Sequence, residues 1–281
     1  MSKFKIFSEN FPLFWFYNLL SFIIEVLIYR GEIIMVEAVK THDGWYCLHD
    51  FRTINWAKWR ILSSEKRSQL TNDFINFITS LENVSAENNG SHYFFDVTGH
   101  KADLGLMLLR PELSDLNNVE NQFNKLEIAD YFVRTHSYIS VIELSTYSGD
   151  SSNPKVMKHI QNRLYPQLPK NKYVCFYPMN KKRDGDDNWF RLSMEERQKL
   201  MYDHGMIGRQ YAGQIRQFIT GSIGFDDHEW GVTLFSNDAL QFKKIVYEMR
   251  FDEASSRYGD FPYFMVGVHL PKENIPTFLS L

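Results

Sequence analysis

What most restricts the fold is a repeat: the same succession of hydrophobic patterns occurs twice between Met35 and the C-terminus. In the first passage, residues 44–50 alternate like a strand and 63–81 carry a helical period. Residues 93–97 and 104–109 then read as a strand pair across Gly99-His100-Lys101, 117–130 as a second helix and 137–144 as a closing strand. The second passage repeats that βαββαβ order: strand 173–177, a long helix from Met194, a strand pair at 222–225 and 230–235, helix 238–249 and strand 263–268. Ser193 and Glu196 form an S-x-x-E capping box at the start of the long helix. A duplicated βαββαβ unit predicts an α+β protein of two ferredoxin-like halves, with their antiparallel sheets packed together in the manner of a dimeric α+β barrel and helices outside. The expected boundaries are an N-terminal half at 35–147, a linker at 148–162 that opens on turn formers, and a C-terminal half at 163–281.

Residues 11–29 are the most apolar run and approach the length of a membrane span, but Asn18 and Glu25 interrupt it. No small-residue cleavage site follows, which argues against a secretory signal. Instead Arg30-Gly31-Glu32 stand just before Met35, and codons for those residues can spell a purine-rich ribosome-binding site ahead of an ATG. Translation is therefore expected to begin at Met35, with 1–34 a leader; a membrane segment is the competing reading.

Composition removes several function classes. A formal charge of -3 lacks the basic footprint that nucleic-acid binding requires. Cys47 and Cys175 are the only cysteines and have no CxxC spacing, so a reducing, cytoplasmic setting is expected. There is no GxGxxG, P-loop, GxSxG or HExxH. An aromatic share of 16% suits either a thick β-core or a large flat apolar ligand.

Two places carry chemistry. Leu200, His204, Ile207, Tyr211, Ile215 and Phe218 recur at spacings of four and three, which sets His204 within an apolar stripe. It is either a core histidine bonded to a carbonyl or an axial iron ligand, since a porphyrin already supplies four nitrogens and needs one imidazole. The segment from Tyr177 to Gly185 leaves a strand and enters a basic loop. That loop is either a solvated turn or, with Arg163, a holder of carboxylates. His49-Asp50 and His100 have no partner at strand or helix spacing and are read as structural.

The stretches GWYCLHDFR (44–52), NKLEIADY (124–131), HSYISVIELSTY (136–147), CFYPMNKKRDGDDNWF (175–190) and MEERQKLMYDHGMIGRQYAGQIRQ (194–217), with the run 220–261, resemble the coproheme decarboxylases of Gram-positive bacteria, members of the chlorite-dismutase-like superfamily. The resemblance runs from about Met35 to the C-terminus. It implies hydrogen-peroxide-dependent conversion of Fe-coproporphyrin III (coproheme), at once substrate and redox cofactor, to heme b. It also implies a homopentamer and transient contact with coproporphyrin ferrochelatase. By the same resemblance His204 is the axial iron ligand, Tyr177 the radical-forming tyrosine and Lys181 the lysine beside the reacting propionate. Gln217 matches the distal glutamine, and Arg163, Tyr147 and Ser255 match propionate contacts. Met179 and Trp189 match pocket-lining positions. No carboxylate partner for His204 is evident in the sequence, which implies an imidazole that donates weakly to iron. Chlorite dismutation or heme-dependent peroxidation is the nearest alternative, although the former wants a distal arginine where Gln217 stands. A non-enzymatic heme-binding protein is the other.

Overall fold

Alternating apolar residues build long strands whose two faces serve different layers. The computed structural model describes residues 36–147 and 154–281. In its first half, β1 (Thr41–Ile54), β2 (Ser91–Val97), β3 (Leu104–Arg110) and β4 (Phe132–Ser145) lie in the order β2-β3-β1-β4. Along β1, Trp45, Cys47 and Phe51 enter one buried cluster while Leu48 and Ile54 enter another, the period of two that a pleated strand imposes. α1 (Trp56–Arg60), α2 (Ser64–Ala86) and α3 (Leu113–Lys125) accompany this half, and Phe123 stacks between Phe74 and Phe77 at 5.2 and 5.3 Å.

After α4 (Pro154–Leu164), the second half repeats the arrangement. β5 (Tyr173–Lys181) is followed by the small hairpin β6 (Arg183–Asp184) and β7 (Asp187–Asn188), then α5 (Met194–Gln210), β8 (Arg216–Gly221) and β9 (Trp230–Ser236). α6 (Leu240–Met249), α7 (Glu253–Ser256), β10 (Gly259–Asp260), β11 (Met265–His269) and α8 (Ile275–Phe278) complete the chain. The main strands run β11-β5-β9-β8, and β10 adds to the end of β5.

The two sheets do more than pack together: they join edge to edge. β4 pairs with β8, Val141 opposite Gly221, and β2 pairs with β11, Val97 opposite Gly267. Eight antiparallel strands thereby close a barrel. A lone ferredoxin-like sheet has two unpaired edges; closure satisfies both halves' edges at once. Inside the barrel His49 is fully buried, stacks on Phe176 at 4.0 Å, and exchanges a 2.9 Å hydrogen bond with Thr233 Oγ1. Asp50 is tied to buried Arg52 and His100 lies in an exposed turn, so the structural reading of these residues matches their surroundings.

Local boundaries differ from expectation in three places. The long helix ends at Gln210, so Ile215 and Phe218 are not on it; Gly213, at φ +84°, turns the chain into β8. The expected strand 222–225 is instead the turn after β8, with the Phe225 N–H donating to the Ser222 carbonyl at 2.8 Å. Residues 117–130 divide between α3 and a 3-10 turn at Glu127–Tyr131. Within the expected linker, 154–162 are helical and pack on β1 and β4, while 148–153 lie outside the described residues, as does the 1–34 segment. No helix among the described residues is long and apolar enough to cross a membrane.

Candidate active site

The outer face of the second sheet gathers the predicted residues through strand register. Tyr177 lies opposite Val232, which lies opposite Ile219; Met179 lies opposite Trp230; Leu234, opposite Cys175, also lies opposite Gln217. Cross-strand partners share a face, so Tyr177, Met179 and Gln217 occupy one surface, with Gln217 exposed. Tyr177 is buried, its ring 4.8 Å from that of Phe264 and 5.9 Å from that of Phe261. Burial pushes its phenol above the ordinary tyrosine range.

Lys181 ends β5 on the same alternation and is buried. Its ammonium donates to the Ala254 carbonyl at 3.0 Å and stands 4.1 Å over the Trp189 ring, while its backbone N–H donates to Glu229 Oε2 at 2.7 Å. Desolvation lowers the ammonium to about 8 against the opposing pull of Asp252 and Glu229. Trp189 is buried in a short 3-10 turn and also packs edge-on against Tyr258.

α5 spans this face. The Arg197 side chain near its start reaches the Tyr147 hydroxyl, as does that of Trp189, and Ile207 and Tyr211 at its other end pack with Tyr177, Val232 and Leu234. His204 sits between those anchors on the same helical face. Its Nδ1 is 3.0 Å from Asp252 Oδ2. Burial raises the Asp252 carboxyl, but hydrogen bonds from His204 and Ser255 outweigh it and hold the group below its ordinary value. The carboxylate partner absent from the sequence reading therefore exists, supplied from the N-cap of α7. Ser255 donates its hydroxyl to Asp252 Oδ2 at 3.0 Å and lies 3.4 Å from His204 Nδ1. Arg163 is exposed at the end of α4, with no hydrogen bond or ion pair to Tyr177, Lys181 or His204 among the described residues. The structure thus unites Tyr177, Met179, Lys181, Trp189, Tyr147, Gln217 and His204 around one face.

The sequence reading missed Asp252, Arg197, Trp230 and Glu229. An Asp three residues before Ser255 is a legible N-cap signal, yet nothing in it points to a histidine 48 residues away. A separate cleft of about 470 Å³, lined by residues including Asp50, Arg134, His136, Asp226 and His228, contains none of the predicted site residues.

The donor set suits an iron porphyrin. With Nδ1 engaged by Asp252, Nε2 is the nitrogen left to bind a metal, and a single imidazole suffices only for a metal already held by four ligands. Among the described residues no group of three or more His, Cys, Asp or Glu could hold a bare ion.

Fold and site together define a duplicated ferredoxin-like barrel with one histidine presented from a helix over its second sheet. The family model described as chlorite dismutase matches residues 67–270, and the chain belongs to that family. It is 44% identical to a structure reported as a novel heme-binding protein from Thermus thermophilus, at a TM-score of 0.84, over 88% of this chain and 99% of that one. A variant of chlorite dismutase from Candidatus Nitrospira defluvii is 18% identical at a TM-score of 0.69, over 85% and 97% of the two chains, and shares the fold.

Proposed function

We propose that this chain is a coproheme decarboxylase, which binds Fe-coproporphyrin III against the outer face of the second sheet and converts two propionates to vinyl groups with hydrogen peroxide. The observation that carries this reading is the pairing, on one strand and one face, of a buried phenol with a buried ammonium beside a single available imidazole. The heme-binding relative at 44% identity supports the porphyrin part.

His204 would hold the iron through Nε2. On reaction with peroxide the bound iron porphyrin supplies an oxidising equivalent. Tyr177, kept as the neutral phenol by burial, yields its hydrogen to that equivalent and then takes a hydrogen atom from the β-carbon of a propionate. Loss of a further electron releases carbon dioxide and leaves the vinyl group. Per arm, one carboxylate, one peroxide and one proton give one vinyl group, one carbon dioxide and two waters. Lys181, poised at about 8, can hand over the proton near neutrality and stabilise the carboxylate before it leaves.

A second reading, peroxidase-like or chlorite dismutase-like turnover, draws on Asp252, because a carboxylate on Nδ1 makes the imidazole a stronger donor to iron. Against it stands neutral Gln217 on the face where an anionic oxidant would want a cation. Tyr177→Phe separates the readings, since it removes one oxygen and keeps the ring volume. The variant should bind coproheme, consume peroxide and form no heme b in mass spectrometry after stoichiometric titration. Heme b at near-parental yield would remove Tyr177 from the mechanism. Oxygen evolution from chlorite by the loaded parent would favour the second reading.

A further inference from the structure

β5 outruns its neighbour on one side. Its pairing with β9 ends at Met179 opposite Trp230, while on the other side Asn180 and Lys181 continue along β10, opposite Asp260 and Gly259. Past Met179 the edge that faced β9 would carry an unpaired backbone donor. A carboxylate takes the place of the missing strand: Oε2 of Glu229, the residue just before β9, accepts the Lys181 N–H at 2.7 Å. The next N–H, of Lys182, alternates to the other edge and donates to the Tyr258 carbonyl at 2.8 Å.

Glu229 is buried and is itself held from three sides. Its N–H donates to Asn180 Oδ1 at 3.1 Å, its carbonyl accepts the Ser222 N–H at 2.8 Å across the β8–β9 turn, and its Oε1 accepts the Arg183 guanidinium. The residues on either side of Lys182 are thereby tied to one carboxylate. Beyond Arg183 the β6–β7 hairpin brings the chain back at Trp189, whose N–H donates to the Lys182 carbonyl at 3.1 Å and whose ring lies 4.1 Å from the Lys181 ammonium. Each oxygen of Glu229 serves a separate donor, a task that an amide with one acceptor oxygen and one donor nitrogen does not reproduce.

We propose that Glu229 is a positioning residue, which fixes the backbone of Lys181 and the start of the hairpin and so sets the ammonium where the reacting propionate must come. This rests on the coproheme reading above. Glu229 acts through Lys181 alone, and a displacement of about 1 Å at a reacting group is enough to slow a reaction roughly a hundredfold.

The tests use the full chain. Hydrogen–deuterium exchange of a peptide spanning residues 178–184 reports the backbone bond without any porphyrin: exchange should be faster in Glu229→Gln than in the parent, with the circular dichroism spectrum unchanged. Turnover of Fe-coproporphyrin III with peroxide should show kcat reduced about tenfold in Glu229→Gln and KM close to parental. In a Lys181→Gln background the same substitution should cause no further slowing, because the group it positions is gone. Arg183→Gln, altered at the exposed end of the bridge, leaves the buried carboxyl in place and serves if Glu229→Gln does not fold; its slowing should likewise vanish in the Lys181→Gln background. Parental exchange in Glu229→Gln, or equal slowing with and without Lys181, overturns the assignment of Glu229 alone. A parent that forms no heme b overturns the substrate reading and this inference with it.

Discussion

Lys181 owes its chemistry to the place where β5 stops. One residue earlier on the strand the side chain would face the other way; at this position it is buried between the Ala254 carbonyl and the Trp189 ring. Its folded value of about 8 lies below the 10.5 of a free lysine, so between those two values the unfolded chain binds the extra proton. Stability therefore rises with pH through that window, and below about 8 the fold carries the cost of a buried ammonium. Activity should run the opposite way. If the ammonium assists decarboxylation, kcat falls as pH climbs through about 8, and Lys181→Gln is slow with no inflection there. A pH–rate profile that keeps its inflection in Lys181→Gln would assign it to another group. Tyr177 and Lys181 were legible from sequence as a strand end entering a basic loop, while the ring under the ammonium was not.

At the scale of elements, α7 has an effect out of proportion to its four residues. Asp252 caps it by accepting the Ser255 N–H at Oδ1, 3.0 Å away, and with Oδ2 holds the His204 ring on α5. The Ala254 carbonyl two residues on receives Lys181, so one short segment orients the His204 imidazole and the Lys181 ammonium together. Asp252→Asn retains a good N-cap and should leave the melting temperature close to parental, whereas Asp252→Ala should lose about 1 kcal/mol. Both remove the anionic partner of the imidazole. Resonance Raman of the ferrous, porphyrin-loaded protein should therefore show the iron–histidine stretch at lower frequency in each variant. An unshifted band would mean that the hydrogen bond does not tune His204.

At the scale of the whole molecule, closure of the barrel seals a histidine inside it. Desolvation by burial, aided by His136, lowers His49 to about 3 from an ordinary 6.5. Between those values the unfolded chain binds more protons, so stability is fully present above about 6.5 and drains as pH falls toward 3. Replacement by Gln should cost stability at neutral pH through the lost stacking on Phe176. The deficit should narrow by about 3 kcal/mol at pH near 4, because the variant has no proton to take up on unfolding. Urea titrations of both proteins at the two pH values measure this directly; a deficit that is constant with pH would show that His49 does not drive acid unfolding.

The repeat order, the strand and helix periods, the stripe that carries His204 and the strand end that carries Tyr177 and Lys181 are written in the chain, because each is a periodicity over a few neighbouring residues. The same locality explains where that reading overran. Apolar residues spaced by three and four continue from α5 into Ile215 and Phe218, and only the turn at Gly213 tells where the helix ends. Edge-to-edge closure and the Asp252–His204 and Glu229–Lys181 pairs, each across 48 residues, were decided by tertiary structure alone. Such partners are chosen by strand register and by which edges meet, and neither is carried by any short stretch of sequence.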